Sequence, residues 1–252
     1  LEAHAGLIET LGDTPRTVVA VHLLQRGLGR AYVAGDPAAF DAAVVQGAFD
    51  PQVWPATEPT GFGARAEALW ALLRVMEGWH CVLVSRECAP LLGACIERAT
   101  GHAVRYYGEV LYALTTPVVP FWHEAVRRLT PDDAALLEAS PETWRELHGS
   151  GWATTQQMLQ EGVAAGAVVE GRLVAIAYTC ARTPRHAEVA VYTLESWRGR
   201  GLASATASLV CRQIQEEGQT PVWSTGDDHL PSQRVARKLG FAEVARRTYV
   251  IP

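Results

Sequence analysis

Lysine is almost missing: of the 22 basic residues only Lys238 is a lysine, and the arginines are scattered, with no stripe. With a formal net charge of −5 the chain lacks the basic face of a general nucleic-acid binder, so no nucleic-acid partner is expected. The arginine excess reads as codon bias in a GC-rich genome. Long apolar runs are missing too. A stretch such as Leu173–Tyr178 falls far short of the roughly 20 residues that span a bilayer, so no membrane partner is expected. There is no Cys-x-x-Cys, and the five cysteines Cys81, Cys88, Cys95, Cys180 and Cys211 are odd in number. That argues against a disulfide framework or zinc site and for reduced thiols in the cytoplasm. No charged-then-apolar leader opens the residues given, which fits the same compartment. Trp122-His123, His148 and His186 lack zinc-ligand spacing, so no metal is expected.

What is present is an ordinary globular composition, 48% hydrophobic and 19% charged, which excludes a disordered polyelectrolyte. The 252 residues, at about 150 per domain, leave room for roughly 1.7 domains.

The second half is easier to read. Thr130-Pro131-Asp132-Asp133 supplies an N-cap and a first-turn proline for a helix over Ala134–Glu138, and Thr143–Leu147 and Met158–Val163 read as further short helices. Ala167–Val169, a Glu170-Gly171 turn and Leu173–Cys180 form a hairpin, and a third strand runs from Glu188 to Leu194. From Gly201 an apolar stripe of Leu202, Ala205, Leu209, Val210 and Ile214 marks a helix that Gly218 stops. A strand over Val222–Ser224, a helix over Ser232–Leu239 and a strand over Phe241–Val250 follow.

The first half repeats this order. Strands are read at Ala31–Val33, Ala42–Val45 and Cys81–Val84, with helices at Ala64–Met76 and Ala89–Arg98. Ala103–Leu114 reads as a strand pair or hairpin around Gly108, and the apolar Val18–Leu24 around His22 as a packed strand or helix. A shift of 138 residues carries Ala64 onto Leu202, Ala103 onto Phe241 and Gly61-Phe62-Gly63 onto Gly199-Arg200-Gly201. One register for all of these suggests an internal duplication. Pro117 and Pro120 interrupt periodicity, placing the boundary within Thr115–Phe121 and the domains at 1–120 and 121–252.

The chemistry-bearing segment is Trp197-Arg198-Gly199-Arg200-Gly201-Leu202-Ala203-Ser204, where a strand runs into a glycine turn that opens a helix. Unpaired N–H groups at a helix start form an anion site, and Arg198 and Arg200 add fixed positive charge. A Rossmann turn would want a third glycine where Ser204 stands, and no Gly-Lys-Ser/Thr of a Walker loop is present.

At these residues the chain resembles the GNAT superfamily of acyl-CoA-dependent N-acyltransferases. Its Arg/Gln-x-x-Gly-x-Gly/Ala signature is matched by Arg198-Gly199-Arg200-Gly201-Leu202-Ala203, and Trp223–Phe241 looks like its later strand, helix and Leu-Gly-Phe ending. The resemblance covers about Arg127 to Val250 and implies an α/β fold of two GNAT-like halves. Each is a mixed, mostly antiparallel sheet flanked by helices, the second the intact acetyltransferase fold and the first degenerate. Thr60 stands where Arg198 would repeat, so the first half is expected to bind CoA weakly or not at all.

The resemblance further implies that Arg198, Gly199, Arg200, Gly201, Leu202, Ala203 and Ser204 cradle the pyrophosphate of acetyl-CoA. It implies that Tyr192, Thr193 and Leu194 offer main-chain partners to the pantetheine arm and polarise the thioester. His229 replaces an asparagine common in the family and can still bond pantetheine or substrate, with Ser232 nearby. Where many members carry a tyrosine as general acid, this chain has Ala236, so Ser232, Tyr249 or solvent must serve, or the thiolate leaves unassisted.

An acceptor amine near pKa 10 must lose a proton to attack. Glu188, where some members carry a base, is the candidate, with His186 as rival. Cys180 and Cys211 sit in apolar patterns and read as core thiols rather than nucleophiles. Trp144, Trp152 and Trp197 read as packing, with an acceptor pocket as the alternative. The expected activity is acetyl transfer from acetyl-CoA to a small-molecule or peptide amine by direct attack in a ternary complex. The alternative is a non-catalytic acyl-CoA-binding or regulatory module. Either state, monomer or homodimer, suits the chain, and loops over about Leu137–Met158 would choose the acceptor.

Overall fold

A computed structural model describes residues 4–47, 59–140 and 151–252. The helix read over Thr143–Leu147, together with Trp144 and His148, lies outside the described residues. In chain order the elements are α1 (Ala5–Leu11), α2 (Val18–Gln25), β1 (Gly29–Asp36), β2 (Ala39–Gly47), β3 (Thr60–Phe62), α3 (Ala66–Leu73), β4 (Val82–Ser85), α4 (Ala89–Thr100) and β5 (Arg105–Ala113). After these come β6 (Val126–Arg128), α5 (Ala134–Glu138), α6 (Thr155–Glu161), β7 (Ala164–Val169), β8 (Arg172–Arg182) and β9 (His186–Thr193). The chain closes with α7 (Leu202–Glu216), β10 (Thr220–Gly226), α8 (Leu230–Leu239) and β11 (Ala242–Ile251). No described helix is long and apolar enough to cross a membrane.

The chain divides into two compact units, one of residues 1–111, 225–228 and 245–252, the other of residues 112–224 and 229–244. In the first, strand order is β1-β2-β3-β4-β11-β5. β3 and β4 are parallel, meeting at Thr60 opposite Leu83, and β1–β2, β2–β3 and β4–β11 are antiparallel. The strand beside β4 therefore comes from the far end of the chain, with Arg247 opposite Ser85 and Val250 opposite Val82. Leu69 and Leu73 of α3, Leu92 and Ile96 of α4, Val82, Val84 and Val250 form one buried cluster. Each such side chain contributes about 1.5–3 kcal/mol by leaving water. Cys88 and Cys95 belong to that cluster, as their spacing suggests. Val18–Leu24 is helical, and the buried ring of His22 accepts a hydrogen bond from Arg26 at 3.2 Å.

In the second unit the order is β10-β9-β8-β7-β6, antiparallel except for β9–β10. The β7–β8 hairpin turns at Glu170 and Gly171, both with positive φ, the two-residue turn that matches strand twist. Thr130 is the N-cap read from the sequence, and it forms a capping box with Asp133 across the short 3₁₀ turn Pro131–Asp133 that leads into α5. The stripe read on α7 is buried at Leu202, Ala205, Val210 and Ile214, with Leu209 only partly covered.

Three sequence expectations are corrected. Residues 105–113 form a single strand, with no hairpin at Gly108: the carboxylate of Asp227 occupies the space a Cβ there would need, and Asp227 N–H bonds to the Gly108 carbonyl at 2.9 Å. That glycine serves close approach of backbone, not a turn. The helices read over Ala64–Met76 and Met158–Val163 are Ala66–Leu73 and Thr155–Glu161, the latter capped by the Thr154 hydroxyl. Thirdly, Gly61-Phe62-Gly63 is not a turn like Gly199-Arg200-Gly201, because Thr60–Phe62 is strand. The 138-residue shift nevertheless carries β4, α4 and β5 onto β10, α8 and β11 to within three residues.

The first unit holds a buried ion pair. Arg247 on β11 donates from Nε to Glu109 on β5 at 2.7 Å, the side chains being 10% and 7% exposed, and from Nη1 to the Arg16 carbonyl. Arg247→Met would leave the buried carboxylate without its cation, so a loss of about 3–5 kcal/mol is expected in urea unfolding. Adding Glu109→Gln should restore most of it, whereas an unchanged midpoint in the single variant would show the pair to be solvated.

Candidate functional site

Parallel pairing of β9 with β10 covers only His186–Glu188 against Thr220–Val222, although β9 runs on to Thr193 and β10 to Gly226. Past that point the strands part. On its other edge β9 remains paired with β8 as far as Thr193 opposite Ala175. Alternate N–H and C=O groups over residues 189–193 therefore face an open fork, able to take an extended ligand as an added strand. In β8 the ladder shifts between Thr179 and Ala181, opposite the crotch of the fork.

Glu188 sits at that crotch, 5% exposed. The Ser224 hydroxyl on β10 donates to one carboxylate oxygen, Oε1, while Oε2 is buried and has no hydrogen-bond partner among the described residues. A second buried orphan, the Thr193 hydroxyl, lies at the other end of the same free strand edge. Buried polar atoms without partners are rare, and two along one fork mark where a polar ligand belongs. His186 lies two residues before Glu188, still within the paired stretch, and is buried. Ala190 and Tyr192, on the same strand face as Glu188, pack with Leu137, Met158 and Leu159 of α5 and α6.

Beyond β9 the chain passes buried Leu194 and a short 3₁₀ turn, Glu195–Trp197, to reach the anion turn. Gly199 (φ 77°) and Gly201 (φ 81°) adopt left-handed backbone, and a Cβ on either would meet nothing within 4 Å. No side chain caps α7, so its first N–H groups, at Leu202, Ala203 and Ser204, receive no side-chain acceptor. The side chains of Leu202 and Ser204 are buried, which leaves the main chain to make the contact. Arg198 is tied by Nε to the Thr193 carbonyl at 3.3 Å. Arg200 bonds the Ser196 carbonyl at 3.3 Å and stacks on Trp197 at 4.5 Å. Two exposed guanidinium groups are thus held beside an uncapped helix start, an arrangement that binds phosphate.

The remaining candidates are placed as follows. His229 is exposed at the N-terminal end of α8. The Ser232 hydroxyl accepts the Trp223 indole N–H at 3.0 Å and keeps its own proton to donate. Ala236 is fully buried, and Tyr249 groups with the first unit, its hydroxyl donating to Glu109 at 3.3 Å. Burial pushes the Cys180 thiol well up, with the nearby Glu188 charge adding to it, and burial likewise raises Cys211, so neither is a thiolate nucleophile. Trp152 is a packing residue, its indole N–H on the Thr179 carbonyl at 2.7 Å. Among the described residues no group of three His, Cys, Asp or Glu gathers as a metal would require. Ser224 and the Thr193 side chain were not singled out in the sequence. Their signal lies in pairing across strands, which only the fork reveals.

A sequence model of the GNAT acetyltransferase family matches residues 122–250, just over half of the chain, and the protein belongs to that family. Solved structures share its fold at low identity. A GCN5-related N-acetyltransferase-like protein from Streptococcus suis is 22% identical over 96% of this chain and 95% of its own, with a TM-score of 0.70. A GCN5-related N-acetyltransferase from Kribbella flavida is 22% identical over 95% of each chain, with a TM-score of 0.65. A tandem GNAT protein from the clavulanic acid biosynthesis pathway is 16% identical over all of this chain and 92% of its own, with a TM-score of 0.58. The last of these is a tandem GNAT protein matched over the whole of this chain, in line with the two GNAT-like halves expected from the sequence. No curated protein matches the chain in sequence.

The Thr193 orphan gives a direct test. Thr193→Val keeps the shape and removes an unsatisfied buried hydroxyl, so the ligand-free protein should gain about 1 kcal/mol in urea unfolding. A loss of stability would mean that the hydroxyl has a partner after all.

Proposed function

We propose that the protein is an N-acyltransferase that moves an acetyl group from acetyl-CoA to the amine of a small molecule or peptide. The observation that carries this reading is the β9–β10 fork: a carboxylate with one oxygen held and one free, a free strand edge, and an uncapped helix flanked by two arginines. These fit the parts of acetyl-CoA in order. Arg198, Arg200 and the main chain of Gly199–Ser204 suit the pyrophosphate, and the open edge of β9 up to Thr193 suits the amide-bearing pantetheine arm, while the Leu194 N–H is already taken by the Val174 carbonyl. His229 and Ser232 stand at the start of α8 with polar atoms to offer the same arm.

Bound acetyl-CoA supplies an activated acyl group whose carbonyl carbon forms the new C–N bond as its C–S bond breaks. The chain's part is electrostatic and positional. Ser224 fixes Oε1 of Glu188, so Oε2 is the atom that accepts the ammonium proton, directly or through water. Main-chain N–H groups at the fork stabilise charge on the acyl oxygen. Of the candidate acids, Tyr249 is engaged with Glu109, which leaves the Ser232 hydroxyl or solvent to protonate the departing thiolate.

The first half lacks this equipment, which supports a reading in which residues 1–120 bind acyl-CoA weakly or not at all. β3 ends after three residues. Its glycines are explained by packing: a Cβ on Gly61 would lie 3.0 Å from Val84, and one on Gly63 (φ 106°) 2.5 Å from the Asp41 carbonyl. The buried alanine at position 236 favours the second reading, a non-catalytic acyl-CoA-binding module.

Release of free thiol from acetyl-CoA against an amine panel separates the two readings. Catalysis predicts amine-dependent thiol, and binding without release supports the module. In the catalytic case Glu188→Gln should lower kcat by about 10²-fold or more with little change in acetyl-CoA affinity, and the residual rate should climb with pH toward the acceptor's own pKa. Arg198→Gln with Arg200→Gln should instead raise KM for acetyl-CoA by about tenfold or more with kcat largely kept. An unchanged rate and pH profile in Glu188→Gln would remove Glu188 as base.

A further inference from the structure

Residues 225–228 belong to the first unit, although in sequence they lie between Ser224, which holds Glu188, and His229, which opens α8. Within that unit they interlock with β5. The Asp227 N–H donates to the Gly108 carbonyl at 2.9 Å, and the Tyr107 hydroxyl donates to the Asp228 carboxylate at 2.6 Å. Neither Gly108 nor Gly226 has positive φ, so backbone conformation does not require a glycine at either place. Space does. A Cβ on Gly226 would collide with the Tyr107 hydroxyl, and one on Gly108 with the Asp227 carboxylate. Each segment lays a side chain against the other's glycine, an approach that only a missing Cβ allows.

Tyr107 is itself held in place. Its ring centroid lies 6.2 Å from that of Tyr249 on β11, whose hydroxyl donates to Glu109, the partner of Arg247. The bond to Asp228, and after it burial, pushes the Tyr107 phenol up to about 12, so the O–H donor persists throughout the neutral range. Directly after Asp228 the chain enters α8 at His229, whose carbonyl accepts the Gln233 N–H at 3.2 Å. No side chain caps that helix. The direction in which the chain leaves Asp228 therefore sets where His229 stands.

We infer that Tyr107 is a positioning residue for acetyl-CoA: by its bond to Asp228 and the end of its ring against Gly226 it fixes residues 225–228, and so places His229 and the start of α8 for the pantetheine arm. Tyr107 touches no ligand in this role. The role rests on the proposed binding of acetyl-CoA at the β9–β10 fork, and it is the same for a catalyst and for a non-catalytic module. A segment ordered in advance loses its freedom on folding and not on association, which tightens binding without any new contact to the ligand. The first half thereby serves the site through the peptide chain, which runs from Asp228 straight into His229, and needs no anion turn of its own to do so.

The test is calorimetric titration of the full chain with CoA, joined by kinetics if thiol release proves amine-dependent. Tyr107→Phe, which keeps the ring and removes only the hydroxyl, should weaken CoA by about threefold or more. In kinetics it should raise KM for acetyl-CoA while kcat stays within about twofold. Asp228→Ala, a change at an exposed residue, should weaken CoA to the same extent and carries the test if Tyr107→Phe fails to fold. The double variant should be no weaker than either single one, and Asp228→Asn, which retains an acceptor oxygen, should bind within about twofold of the unaltered chain. Unchanged CoA affinity in the folded single variants, or effects that multiply in the double variant, would overturn the positioning role and leave the acetyl-CoA reading standing. Absence of CoA binding by the unaltered chain is a separate result, which would remove that reading and the positioning role with it.

Discussion

Parallel pairing that covers only His186–Glu188 and Thr220–Val222 governs the chemistry of the second half. A parallel ladder continued to the strand ends would satisfy every main-chain group of β9 and bury Glu188 under a closed sheet. Because it stops, main-chain donors and acceptors remain exposed to the fork, and a carboxylate stands where they begin. The register shift in β8 between Thr179 and Ala181 lies opposite that point. Ser224 bridges the crotch to Glu188, which fixes the carboxylate without filling its second oxygen. Desolvation makes such a group costly unless a bound molecule completes its hydrogen bonding, so occupancy and stability are coupled there.

The two halves show how one pattern in sequence can have two physical causes. Gly199 and Gly201 are glycines because the backbone is left-handed and a ligand must approach from open space. Gly61 and Gly63 are glycines because Val84, Leu69 and the Asp41 carbonyl already fill the space a side chain would need. The same Gly-x-Gly spacing is thus an access requirement in one half and a packing requirement in the other. What separates them is charge. Arginines flank the first pair in sequence at 198 and 200, while around the second they arrive from Arg16, Arg246 and Arg247, distant in the chain.

Much of the fold was legible because local signals and tertiary packing agree. The stripe on α7, the Glu170-Gly171 turn and the Thr130–Asp133 cap each specify one conformation from neighbours in sequence. The anion turn was legible for the same reason. Failures arose where distant residues decide the outcome. Gly108 reads as a break until Asp227 is seen beside it, and no periodicity reveals that the partner of β4 is the last strand. Helix limits moved inward on α3 because Met76, although buried and in phase, packs from beyond the helix end. Ser224 carries no local mark at all, since its importance depends on which residue of β9 lies opposite.

The position of β11 beside β4 has a consequence for biosynthesis. Ribosomes deliver the chain from its N-terminus, and domains ordinarily fold as they emerge. The first unit cannot do so completely, because Arg247–Val250 are synthesised after the whole of the second half has been made. Until then the edge of β4 presents unpaired main chain, a surface that invites non-native association. A ribosome stalled before residue 245 would therefore carry a defect in the half it made first, and the emergence of β11, rather than that of the first domain, is the event that lets that half close.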